Sequence, residues 1–159
     1  MKKVNLILVA IATVCLFSTV SCEKETSNTP SVIGKATITG KALVNLNYIN
    51  DVPSTTYDKV AAGTKIYAKI NSKDLVLNPT NGNYADIIYT TTVDASGNYS
   101  FTIDANTKPV NVSIYSDDFR ENLVVDATTT KSTIFTLDSY SETVRDGVSK
   151  ILDLYFYEK

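Results

Sequence analysis

The chain has no histidine and no tryptophan in 159 residues, and only two cysteines. Histidine is the side chain most often used as a general base or transition-metal ligand near neutral pH, so its absence removes the commonest route to both. Cys15 lies inside an apolar leader and Cys22 at its end. The rest of the chain therefore has no thiol for a disulfide, a thiolate nucleophile or a cysteine-based zinc site. A basic patch is missing too. The balance is 15 Lys+Arg against 17 Asp+Glu, and the cations are not clustered, so there is no electrostatic footprint for nucleic acid.

What is present begins with an export pattern. Lys2 and Lys3 precede the nearly unbroken apolar run Val4–Phe17, and Ser18-Thr19-Val20-Ser21 is a small-residue approach to Cys22. This is the layout of a cleaved signal peptide over residues 1–21. A membrane-spanning anchor is the rival reading, but the run falls short of the ~20 apolar residues a span needs. Asn5 and Thr13 also interrupt it. Thr19-Val20-Ser21-Cys22 resembles the lipobox of bacterial lipoproteins, with Thr19 standing where that family usually carries Leu or another aliphatic residue. The resemblance implies that Cys22 is lipidated on sulfur, becomes the new N-terminus and carries acyl chains, palmitate among them. At ~0.8 kcal/mol per buried CH₂, two or more chains give stable attachment where one is marginal. An ordinary signal peptide with an incidental cysteine is the alternative.

Loss of Lys2 and Lys3 with the leader makes the remainder more acidic than the formal −2 of the whole chain. An anionic membrane surface would not attract it, so the N-terminal lipid must supply the membrane contact. Residues 22–34 read as a tether, since Glu23 to Ser31 contains no apolar residue to bury. Glu23 and Glu25 around Lys24 also resemble the export signal of Bacteroidota-type lipoproteins, which implies an outer-membrane protein exposed at the cell surface.

Residues 35–159 read as one domain. From Ala36 the pattern alternates, with Ala36, Ile38, Gly40, Ala42, Val44, Leu46 and Tyr48 on one face, as one long strand or two joined near Gly40. Ile66, Ala68 and Ile70 form a second inward set and Val110, Val112 and Ile114 a third. Tyr99, Phe101 and Ile103 follow Asp94-Ala95-Ser96-Gly97-Asn98, a turn by composition, and this stretch reads as a central hairpin. Asn81-Gly82 suggests a tight hairpin turn and Asp146-Gly147 a last turn before the C-terminal strand. No window shows convincing 3.6-residue periodicity. Seven to eight short strands separated by turns predict an all-β, antiparallel β-sandwich, Ig-like or prealbumin-like.

Several segments carry a resemblance. Gly40 leads an alternating strand, Ala62-Gly63-Thr64 leads into Lys65-Ile66-Tyr67-Ala68, and Thr92-Val93-Asp94-Ala95-Ser96-Gly97-Asn98-Tyr99-Ser100-Phe101 follows. Over about Gly40 to Phe119 these are similar to carboxypeptidase-regulatory-like and related transthyretin-like modules. The resemblance implies a β-sandwich unit that is mostly non-catalytic. Fold likeness alone does not set function.

Tyrosine is abundant, with ten residues. Tyr67, Tyr89, Tyr115, Tyr155 and Tyr157 fall on expected strands at positions that can face outward. A row of such rings suits sugar stacking or a protein partner, whereas packing across the sheet would make them structural. Asp94, Ser96 and Asn98 around Gly97 place oxygens faintly like a calcium loop, the alternative being a hairpin turn whose Asp and Asn bond their own backbone. Asp117, Asp118 and Glu121 form a second acidic cluster, the alternative being a solvated loop. Both sets fall short of the usual carboxylate count, so no metal and no cofactor is expected. The expectation is a lipid-anchored, non-catalytic envelope protein that binds a glycan or an envelope protein, or serves as an accessory subunit. A spacer without a ligand is the alternative and a small hydrolase the third. A contiguous cluster of exposed tyrosines would favour binding, and scattered ones the spacer.

Overall fold

The computed structural model describes residues 33–51 and 54–159. The expected leader (1–21), Cys22 and the tether up to residue 32 lie outside the described residues, as does Pro53 of the loop that follows the first strand. Strand β1 (Gly34–Val44) starts at the last residue of the expected tether. It buries Ala36, Ile38, Ala42 and Val44 and turns Lys35 and Lys41 to water, the period-2 signature seen in the sequence.

β1 is the spine of the larger sheet. On one side it pairs antiparallel with β5 (Asn98–Ala105), from Gly34 opposite Ala105 to Lys41 opposite Asn98. Beyond that it meets the two-residue strand β2 (Asp58–Lys59). On its other side it pairs in parallel with β10 (Ser149–Ile151) and then β11 (Leu154–Glu158). β8 (Thr130–Leu137) and β7 (Phe119–Val124) continue the sheet beyond β11. The second sheet has the order β4 (Asp86–Thr92), β3 (Lys65–Asn71), β6 (Val110–Ser116), β9 (Tyr140–Val144). Between the sheets lie Ile38, Ile66, Ile70, Ile103, Ile114, Leu123, Phe135 and Leu154, all fully buried.

The chain is thus an all-β sandwich, as the alternation predicts, with eleven strands among the described residues rather than seven or eight. The excess has local causes. β2 is too short to show a period, and β9 is mainly polar. The C-terminal strand is split into β10 and β11. At the split, a regular parallel ladder would have the Lys41 amide donate to the Leu152 carbonyl. Here Asp153 Oδ1 accepts that amide at 2.8 Å. The freed Leu152 carbonyl turns toward Gly40 and accepts the buried Tyr99 hydroxyl at 2.6 Å. Val148, on the same even-numbered phase as Leu152, Leu154 and Phe156, is exposed.

The expected central hairpin is corrected. β4 pairs with β3 and β5 with β1, so residues 93–97 carry the chain from one sheet to the other. Turn composition and flanking alternation are the same for a hairpin and for such an inter-sheet corner, which is why the two read alike. The turn chemistry itself is as expected: Asp94 Oδ1 accepts the amides of Ser96 and Asn98, each at 2.8 Å, and Gly97 has φ +84°. Asn81-Gly82, by contrast, makes no two-residue hairpin turn; the Gly82 amide donates back to the Thr80 carbonyl at 2.9 Å. Gly82 is not among the positive-φ glycines, and its loop is closed by the Tyr84 hydroxyl accepting from the Thr80 amide at 3.0 Å.

A Cβ at Gly97 would also lie 2.7 Å from Lys59 Cβ. Gly97→Val is therefore expected to lower stability by about 2 kcal/mol or more, combining left-handed strain with overpacking. A urea titration with an unchanged midpoint would contradict it.

Candidate functional site

Leu154 and Phe156 of β11 point into the core, so Tyr155 and Tyr157 must point out. Two further rings join them from the segment after β1. Tyr57, just before β2, meets Tyr155 edge to face with centroids 4.9 Å apart and planes at 66°. Tyr48 sits in a 3-10 turn (Tyr48–Asn50) whose first turn is capped by Asn47 Oδ1 accepting from the Ile49 amide at 3.0 Å. Asp51 holds the segment's shape, accepting from the Asn45 side-chain amide at 2.6 Å and from the Thr56 amide at 3.0 Å. The four tyrosines are each between 40% and 46% exposed. With Asn45, Thr55 and Glu158 they line an open groove of about 250 Å³ over Phe135 and Phe156.

Glu158 is the groove's charged group. Its Oε1 accepts Lys131 Nζ at 2.7 Å and Thr133 Oγ1 at 3.0 Å, and Tyr48 Oη donates to Oε2 at 3.3 Å. The hydrogen bond from Lys131, then that from Thr133, holds this carboxyl below the usual range, so it is ionised at neutral pH. Burial, then the Glu158 charge, pushes the Tyr48 hydroxyl up. Tyr157 donates to Asp138, a contact that raises the phenol in the same way. Both phenols stay protonated, each with its O–H committed to a carboxylate.

The five tyrosines expected from sequence are separated by the fold. Tyr155 and Tyr157 are in the groove. Tyr67 and Tyr115 are direct cross-strand partners on the outer face of the other sheet, stacked at 5.1 Å and 22°, with the Tyr67 hydroxyl donating to Asp117 at 2.8 Å. Tyr89 is half-buried and structural: its hydroxyl donates to Asp104 Oδ2 at 2.8 Å and accepts the Asp104 amide at 3.1 Å, tying the β4 and β5 edges together. Tyr48, Tyr57, Asn45 and Glu158 were not anticipated. Tyr48 continues the inward phase of β1 in the sequence, but the chain leaves the ladder after Val44. Tyr57 lies in a loop without a period.

The acidic candidates are occupied locally. Asp94 staples its turn, and the Asn98 amide, ahead of the Ser96 amide, holds its carboxyl below the ordinary range. Its stabilisation is therefore complete above the unfolded carboxylate pKa and is lost only as pH falls through the lower folded value. We expect Asp94→Asn to abolish that acid-side loss while leaving stability at neutral pH to fall modestly, checked by urea midpoints across an acid pH series. Asp117 accepts from Tyr67. Asp118 accepts Lys159 Nζ at 2.7 Å, and Glu121 accepts the Asn122 amide at 3.1 Å. Among the described residues no three acidic side chains come together as a metal site.

A larger groove of about 620 Å³ runs past Thr39, Lys41, Thr91, Asn98, Ile151 and Asp153. Its tyrosine, Tyr99, is buried and its two carboxylates, Asp94 and Asp153, already hold backbone amides. It offers a ligand the Lys41 ammonium but no exposed ring face, and the smaller groove is set apart by its four exposed tyrosines.

The chain matches no family model, and no curated protein is similar to it. Among solved structures it is similar to a Pseudomonas aeruginosa protein provisionally described as carbohydrate binding. The identity is 12%, over 80% of this chain and 92% of that one, with a TM-score of 0.46.

Proposed function

We propose that the chain is a lipid-anchored envelope β-sandwich that binds a glycan in the tyrosine groove and leaves it chemically unchanged. The observation that carries this reading is the contiguity of Tyr48, Tyr57, Tyr155 and Tyr157 around an ionised Glu158. A sugar ring has an apolar C–H face and a polar rim of hydroxyls. Flat rings with polar tips suit the face, and a carboxylate, an amide and a hydroxyl at the groove wall suit the rim. The lining among the described residues holds one carboxylate, whereas glycoside hydrolysis generally employs a pair. Recognition is the chemistry this groove is equipped for.

The position of the groove supports the anchored arrangement. The described chain reaches β1 at Gly34, and the groove lies past the other end of that strand, beside Asn45. Eleven residues of strand separate the two by about 33 Å. A lipid on Cys22 would hold the membrane at one end of the sandwich and leave the groove at the other.

The test is a glycan array probed with residues 23–159. Binding to defined saccharides is expected, and silence across neutral, amino and acidic glycans would sink the proposal. Cys22→Ser is expected to move the protein from membranes to the soluble fraction, because the acyl chains supply the attachment. A variant that still sediments with membranes would refute the anchor.

A further inference from the structure

Building on the groove as a glycan site, we infer that it selects a neutral saccharide over an anionic one, with Glu158 as the residue that sets the choice. Glu158 Oε1 is occupied by Lys131 and Thr133, while Oε2 receives only the Tyr48 hydroxyl, at 3.3 Å. A carboxylate oxygen has two acceptor positions and no proton to give. Oε2 therefore accepts a ligand hydroxyl and has nothing to offer a ligand carboxylate or sulfate.

The surroundings act in the same direction. Asp51 holds Asn45 of the groove wall, Asp58 accepts the Leu46 amide at 3.2 Å, and Asp138 receives the Tyr157 hydroxyl. Against these and Glu158 stands Lys131, already paired with Glu158. Lys59 is directed elsewhere, its ammonium donating to the Ala95 carbonyl at 2.7 Å. A uronate or sulfate seated on the rings would meet Glu158 in the lining, with Asp51, Asp58 and Asp138 bonded to residues beside it, and like charges brought together reject the wrong partner. A site arranged to receive a hydroxyl also discriminates strongly against a ligand that cannot donate there.

The full chain is titrated with a panel of neutral, amino, uronate, sialylated and sulfated glycans, with and without added salt. The uronate, sialylated and sulfated members are expected not to bind. Glu158→Gln is expected to weaken the best neutral ligand about 10-fold and to narrow its preference over the acidic analogue of the same backbone. Lys131→Ala, which leaves the carboxylate uncompensated, is expected to widen that preference. Opposite effects of the two variants separate a recognition role from a structural one. The inference is overturned if acidic glycans bind as tightly as neutral ones at low salt, or if both variants leave the preference unchanged. Absence of all glycan binding overturns the groove reading as well, whereas binding without discrimination overturns the inference alone.

Discussion

Replacing Gly40 by alanine is expected to destabilise the fold by about 3 kcal/mol. A Cβ at this position would lie 1.8 Å from the Leu152 carbonyl oxygen and 2.5 Å from its carbon. Backbone cannot swing aside as a long side chain does, so β1 and the β10–β11 junction must separate. Separation strains two further bonds, from the Leu152 amide to the Thr39 carbonyl at 2.8 Å and from the buried Tyr99 hydroxyl to the Leu152 carbonyl at 2.6 Å. Tyr99 is buried, and that burial raises its phenol far above the ordinary range. In urea the midpoint should fall by about 1 M or more. Gly82→Ala is the control: its nearest neighbour would be Thr80 Oγ1 at 3.9 Å, and the midpoint should stay in place. Equal midpoints for the two variants would mean that the Leu152 carbonyl does not lie against Gly40.

Tyr155→Ala is expected to cost about 2 kcal/mol of glycan affinity, roughly 30-fold, while stability changes little. Tyr155 is the ring that others are arranged around: Tyr57 packs edge-on against it, and Tyr157 follows two residues later on the same face. Removing it takes one stacking surface directly and unseats a second. Because 41% of the residue is already exposed, the fold loses little burial. Isothermal titration with the array's best ligand measures the loss, and a urea midpoint close to wild type shows that the fold is retained. Tyr67→Ala, on the opposite sheet, should leave affinity unchanged. If Tyr67→Ala weakened binding and Tyr155→Ala did not, the site would belong on the other face.

The core was legible because burial in a strand imposes a period of two. Ile66, Ala68 and Ile70, Val110, Val112 and Ile114, and Tyr99, Phe101 and Ile103 all face inward as their spacing predicts. Turn chemistry was legible where one residue type decides it, as at Gly97 and Gly147, both at positive φ. Sheet membership was not. The turn at residues 93–97 looks the same from sequence whether its flanking strands pair or pass to separate sheets, since the choice depends on β1 and β3 occupying the neighbouring positions. Half of the groove was legible: Tyr155 and Tyr157 alternate with the buried Leu154 and Phe156. Tyr48 and Tyr57 reach it through a segment shaped by Asp51 and Asn47 side chains bonding nearby amides. Such contacts leave no periodic trace.

The parallel alignment of β1 with β11 has a mechanical consequence. A pull applied at Gly34 and opposed at Tyr155 and Tyr157 runs along these two strands in opposite senses. It loads their backbone hydrogen bonds side by side in shear instead of opening them one after another like a zipper. A protein tethered at the first strand and gripping its ligand from the last would meet drag with those bonds loaded together.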